Sequence, residues 1–186
     1  MRIFGGRWAG LQLLSPGERV RPTMEPLRDA CMRRLGDALV GARVLDLFSG
    51  TGALGLEALS RGAASVDFVE NGTSAIHSLK ANVAKVKARE RTRIFLKDAI
   101  PFVERLAAGA YDIAFADPPY GSKKLDRVVA RWRVVPFAPV LVVEHAADHP
   151  FDAPLGGVTI RVDDSVVTIL RAAPGQSLSP GTSPSK

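Results

Sequence analysis

Short, nearly unbroken apolar runs alternate with amphipathic stretches from residue 42 to residue 146. The runs are "ARVLDLF" (42–48), "SVDFVE" (65–70), "RTRIFLKD" (91–98), "YDIAFAD" (111–117) and "APVLVVEHA" (138–146). Each has the length of a strand, and none alternates polar with apolar as a half-exposed strand would. Strands apolar on both faces must be covered on both faces. Between them lie "ALGLEALSRG", a helix ending at Gly62, "TSAIHSLKANVAKVKA", with Ile76, Leu79, Val83 and Val86 at helical spacing, and the short "IPFVERLAAG". Strand and helix in turn predict an α/β chain, a mostly parallel sheet wrapped on both sides. "GVTIRVDDSVVTILRA" (157–172) reads as a terminal hairpin turning at Asp163-Asp164.

Ahead of this core, "RIFGGRWAGLQLL" predicts two short strands around glycines, a hairpin-like arm. A loop, "SPGERVRPT", follows. "EPLRDACMRRLGDAL" then places Leu27, Ala30, Cys31 and Leu35 at helical spacing. The expected organisation is an arm over 1–24, one domain over 25–173 and a tail over 174–186, whose Ser, Pro and Gly content predicts disorder. No stretch approaches the roughly 18 apolar residues of a membrane span. "MRIFGGRWAG" carries charge and glycine where a signal peptide is apolar, so a cytoplasmic location is expected. Cys31 is alone, which excludes an intramolecular disulfide and predicts core packing. The histidines form no cluster that suggests a metal. His77 and His149 read as bystanders, and His145, at a strand end, as a residue at the edge of a site.

Charge points to a polyanion. The net charge is +6. Residues 1–43 hold Arg2, Arg7, Arg19, Arg21, Arg28, Arg33, Arg34 and Arg43 against Glu18, Glu25, Asp29 and Asp37. Two further basic clusters are Lys80, Lys85, Lys87, Arg89, Arg91 and Arg93, and Lys123, Lys124, Arg127, Arg131 and Arg133. Three clusters, one beside the suspected active site, favour a nucleic acid.

Two strand ends carry the chemistry. The first strand runs into "FSGTGALG", where Gly50, Gly52 and Gly55 spell G-x-G-x-x-G. Such a turn permits close backbone approach to a ligand, and the acid 20 residues after Gly50, Glu70, suits ribose hydroxyls. A dinucleotide dehydrogenase shares that much. Asp46, inside the strand, separates the readings: an acid there suits a cationic ammonium, which a pyrophosphate lacks. Asp98 in "KDA" is placed to accept from an adenine amine, or to cap the next helix, or both. Three strand-end acids and no phosphate partner suit S-adenosylmethionine. Asp46, Ser49, Gly50, Gly52, Glu70, Asp98, Ala99 and Asp117 are the expected cofactor-binding residues.

The second strand end is Asp117-Pro118-Pro119-Tyr120. Each proline restricts itself and the residue before it. The Asp117 carboxylate and Pro118 carbonyl are thereby fixed as acceptors for the two protons of an exocyclic amine, and Tyr120 is placed to stack on its base. Asp117, Pro118, Pro119 and Tyr120 are the expected catalytic residues.

These segments together resemble the RsmD-type bacterial small-subunit (16S) rRNA guanine-N2 methyltransferases. The likeness is carried by "RIFGGRWAG", "RPTMEPLRDACMRRL", "VLDLFSGTGALGLEALSRGA", "VE" at 69–70, "DPPYG" and "LVVEH". It implies a class I S-adenosylmethionine-dependent methyltransferase, with a Rossmann-like, doubly wound, seven-stranded sheet and an arm that helps hold RNA. It implies a guanine of small-subunit ribosomal RNA as target, presented in an assembling particle. A monomeric enzyme with no metal is expected. Arg21, Thr23, Lys123 and Lys124 are the expected substrate-binding residues. The segment 121–137 is shorter than the corresponding family helix region and lacks its glycine turn. Other readings are a DNA adenine amino-methyltransferase, a dehydrogenase, which leaves the double proline unexplained, and a non-catalytic RNA-binding assembly factor.

Overall fold

The computed structural model describes residues 1–15, 24–119, 121–149, 157–162 and 164–172. Arg21, Thr23, Tyr120, Asp163 and the tail lie outside the described residues. After the arm come α1 (Met24–Leu35), β1 (Arg43–Leu47), α2 (Ala53–Ser60), β2 (Ser65–Glu70), α3 (Thr73–Lys85) and β3 (Thr92–Leu96). Then follow α4 (Ala99–Glu104), β4 (Ile113–Ala116), α5 (Lys124–Val134), β5 (Val140–Ala146), β6 (Val158–Val162) and β7 (Ser165–Arg171).

The strands form one seven-stranded sheet in the order β3-β2-β1-β4-β5-β7-β6. The first five run parallel, and β7 is antiparallel to both neighbours. The chain steps outward from β1 to β3, returns to β4 on the other side of β1, and steps outward again. Strand order therefore reverses between β1 and β4, and the carboxyl ends of those two strands open a crevice.

Two apolar layers explain the unbroken strand runs. Val44, Phe68, Phe115, Val142 and Ile169 face one layer, which includes Leu27, Met32, Leu56, Leu59, Leu79 and Val83 of α1, α2 and α3. Leu45, Leu47, Val69, Ala114 and Leu141 face the other, with Ile100, Val103, Leu125, Val128 and Trp132 of α4 and α5. Each fully buried Leu, Val or Phe contributes about 1.5–3 kcal/mol. Cys31 is wholly buried in the first layer, and burial pushes its thiol up to about 12.

Helix α5 fills a stretch that the alternating pattern leaves unassigned. Its Leu125, Val128, Val129 and Trp132 are buried at i, i+3, i+4 and i+7, so the helical period was present in the sequence. Helix α3 stops at Lys85, earlier than the apolar pattern suggests, because Lys87 turns left-handed (φ 53) and the Ala88 amide closes onto the Val83 carbonyl.

The arm differs from expectation. Its chain doubles back as a hairpin does, but regular pairing is limited to one bridge, Arg2 to Gln12, around a 3-10 turn at Gly6–Trp8. The amides of Ile3, Gly10 and Leu13 bond across the arm, to Leu11, Ile3 and Met1, while those of Phe4, Gly5 and Trp8 bond outward to α2. The Glu57 carboxylate accepts from Phe4 (2.8 Å) and Gly5 (2.9 Å), and Ser60 Oγ accepts from Trp8 (2.9 Å). Among the described residues no helix is long and apolar enough to cross a membrane.

Candidate active site

The parallel register brings the carboxyl ends of β1, β2, β3 and β4 to one edge. Leu47 pairs with Val69 on one side and Ala116 on the other, and Glu70 pairs with Leu96. The glycine turn, Glu70, Asp98 and Asp117 therefore follow the ends of four adjacent strands.

Asp46 lies beneath the turn, flanked in register by Phe68 and Phe115, both fully buried. Its side chain is 1% exposed. Oδ2 accepts from the Gly55 amide at 2.9 Å, and Oδ1 is buried with no partner. Burial pushes the carboxyl up to about 7, against the pull of the Gly55 amide and helped by the negative charge of Glu70. An ionised carboxylate held in that setting favours a cation nearby.

The chain leaves β1 through Phe48, a non-glycine residue at φ 57, and a left-handed residue at this point is a local strain. Gly50 (φ 52) and Gly52 (φ 82) complete the turn for different reasons. A Cβ at Gly50 would meet nothing within 4 Å, so open space lies before that backbone. A Cβ at Gly52 would sit 2.3 Å from Leu79 Cδ1, so this glycine lets α2 start against α3. Gly55 serves packing too: its Cβ would strike Phe68 and Val66 of β2. Ser49 is buried, and its Oγ donates to the Val69 carbonyl at 3.4 Å.

Glu70 already works inside the turn. It accepts from the amides of Gly50 (2.8 Å), Asn71 (2.9 Å) and Gly72 (2.6 Å). A carboxylate offers about four lone-pair sites, which leaves about one for a ligand hydroxyl. Asp98 caps α4, accepting from Ile100 at 2.9 Å, ahead of the buried Ala99. That bond, with the nearby Lys124 ammonium, holds its carboxyl below the usual range. Lys124 reaches Asp98 Oδ2 at 3.3 Å and stands 5.7 Å from the centroid of the Phe48 ring. Lys124, expected beside the substrate, thus contacts Asp98, expected at the cofactor, and Phe48, which leads into the glycine turn. After β4, Asp117 is half-buried, Pro118 buried and Pro119 exposed. Lys123 stands immediately before α5. Arg21, Thr23 and Tyr120 cannot be placed among these, being outside the described residues.

His145 reaches across to β7. Its Nε2 lies 2.9 Å from Thr168 Oγ1 on β7, and burial lowers its pKa. Two residues that position the site went unremarked in the sequence. Asn82, fully buried on α3, exchanges hydrogen bonds with Leu14 and donates to the Thr51 carbonyl at 3.0 Å, tying the arm's exit to the glycine turn. Glu57, fully buried on α2, also accepts from Arg61 Nε at 2.8 Å. The signal for both was a polar residue interrupting a helical apolar face.

A family described as "Conserved hypothetical protein 95" matches residues 1–161. The chain belongs to this family. Its expected RsmD-type character agrees with its relatives. Ribosomal RNA small subunit methyltransferase D of Escherichia coli strain K12 is 36% identical over 132 residues, 69% of this chain and 65% of that protein. The match thus spans under two thirds of that relative's length. The solved structure of Escherichia coli yhhF superposes with a TM-score of 0.79 at 29% identity, covering 93% of this chain and 98% of that one. A SAM-dependent methyltransferase from Agrobacterium tumefaciens superposes at 0.59 with 21% identity, over 78% of this chain and 62% of that one, which bears on the fold alone. The fold is the expected class I, Rossmann-like methyltransferase fold.

Proposed function

We propose that this protein transfers a methyl group from S-adenosylmethionine to the exocyclic amine of a guanine in small-subunit ribosomal RNA. The observation that carries the reading is the adjacency of β1 and β4, which sets the glycine turn beside Asp117-Pro118-Pro119 at the switch point of the sheet. The residues present fit the cofactor: open space at Gly50 for close approach, and a buried Asp46 oxygen without a partner for a cationic end. Glu70 and Asp98 would hold its ribose and adenine. When bound, S-adenosylmethionine supplies an electrophilic methyl carbon. The protein's own residues must then make a poor nucleophile good. An amine on a base has its lone pair delocalised into the ring. The Asp117 carboxylate and Pro118 carbonyl are acceptors for its two protons, drawing the nitrogen towards tetrahedral geometry and aiming its lone pair. Positioning and preorganised acceptors supply the rate. The base must leave any helix to enter.

The named relative supports ribosomal RNA as substrate. The guanine amine and an assembling particle as target rest on the motif resemblance; a cytoplasmic setting and a monomeric enzyme complete the reading. The test is transfer of labelled methyl from S-adenosylmethionine to small-subunit particles that lack the modification, followed by nucleoside analysis. Label in N2-methylguanosine is the expected result; label in adenine, or none in rRNA, refutes the substrate. Asp117→Ala should lose about 10²–10³-fold in transfer, far more than it loses in cofactor affinity. Equal loss of both would make Asp117 a structural residue.

A further inference from the structure

The basic cluster between residues 80 and 93 does not act as one group. Lys85 Nζ is committed to the arm, donating to the Gln12 carbonyl at 2.7 Å. Arg93 is committed to Asp67, through both Nε and Nη2. What remains is local. Lys80 and Arg89 line a groove of about 290 Å³ between α3 and β3, with Val83, Thr92 and Ile94. Both cations are exposed, and among the described residues neither has an ion-pair partner. Two residues beyond Arg89, the Arg91 guanidinium lies 5.5 Å from the centroid of the Trp8 ring, so the arm's turn extends the same surface. This face lies at the outer strand of the sheet, and β3 begins here, at Thr92.

We propose that the α3–β3 groove is a second RNA contact, which takes the phosphate backbone of the substrate away from the reacting nucleotide. The inference rests on the reading of the chain as an RNA methyltransferase. From Thr92 to the cofactor end at Asp98 is six residues, about 20 Å at the rise of a strand. A phosphate in the groove therefore belongs to a different part of the RNA from the base at Asp117. Charge complementarity selects the occupant: two cations without carboxylates, over a floor too small for an apolar docking face, suit a polyanion. A phosphate contact fixes register and adds affinity without reading sequence. The groove then lowers KM and leaves the chemical step alone.

The experiment compares two full-length variants of equal net charge, Lys80→Gln/Arg89→Gln and Arg105→Gln/Arg171→Gln. The latter pair is exposed, just after α4 and at the end of β7, and belongs to none of the three basic clusters. Binding of purified small-subunit rRNA is measured across a salt series, and transfer to small-subunit particles is measured separately. The groove variant should raise KM roughly tenfold, keep kcat and S-adenosylmethionine affinity, and flatten the log–log salt slope by about 1.4–1.8. The control should retain the wild-type slope. An unchanged groove variant, or two variants that weaken equally, overturns the proposal. A wild type that binds rRNA but transfers no methyl refutes the proposed activity and leaves the binding comparison to decide the groove. A wild type that binds no rRNA at all overturns the groove, while a methyl acceptor other than rRNA overturns only the substrate.

Discussion

Replacing Asp46 with asparagine should reverse part of the protein's response to pH. In the wild type without cofactor, burial between Phe68 and Phe115 pushes this carboxyl up to about 7. An unfolded aspartate titrates near 4. Between those values the folded state binds the proton that the unfolded state has released, so stability falls as pH rises. Each pH unit is worth about 1.36 kcal/mol, and the interval from about 4 to about 7 amounts to about 4 kcal/mol. The substituted side chain would keep an oxygen for the Gly55 amide but would put an NH₂ where Oδ1 has no partner, a cost of about 1–3 kcal/mol. Asp46→Asn should therefore be less stable than wild type near pH 4 by about 1–3 kcal/mol, and more stable near pH 8 by a similar amount. Urea unfolding from pH 4 to 8.5 without ligand reads the crossing directly. Parallel stability curves would refute the argument, because they would mean that the Asp46 carboxylate is not held in an apolar setting. Saturating S-adenosylmethionine should then stabilise the wild type more than the variant at pH 8, since only the wild type offers a buried negative charge to its cationic end.

Two other sites make separate predictions. Asp98→Ala removes the cap on the Ile100 amide and should cost about 1 kcal/mol, whereas Asp98→Asn should retain most of it. Because the Asp98 carboxyl is held below its usual range, its contribution is present above the ordinary carboxylate pKa and fades as pH falls through the lowered value; acid titration of Asp98→Asn should lack that part of the loss. Glu57→Leu strips acceptors from Phe4, Gly5 and Arg61, and should cost about 3 kcal/mol or more while freeing the arm. Limited proteolysis near residues 5–10 should accelerate well before the domain unfolds, and an arm that stays protected would show that its packing on the core suffices.

The sheet was legible because its strands carry their own period. β1, β2, β4 and β5 are apolar on both faces, and only a covered parallel sheet accepts such runs. G-x-G-x-x-G and Asp-Pro-Pro marked two strand ends, and the parallel arrangement made those ends neighbours. The arm was legible as a chain that doubles back, not as a structure whose Phe4, Gly5 and Trp8 amides are satisfied by Glu57 and Ser60. Its partners lie more than fifty residues away, and no local pattern encodes them.

The sequence by itself placed the glycine turn, Glu70, Asp98 and Asp117 at the carboxyl ends of strands, since a motif that closes a strand has one place to go. Only the tertiary structure decided what each does there. Gly50 opens space while Gly52 and Gly55 give way to Leu79 and to Phe68 and Val66, though all three are glycines in one motif. Lys124 pairs with Asp98, Lys85 with the arm and Arg93 with Asp67, while Lys80 and Arg89 remain without carboxylate partners among the described residues, though all are basic residues in two clusters. Composition fixes how many charges a chain carries. Which of them are neutralised depends on contacts between strands and helices distant in sequence, and those exist only once the sheet has closed its register.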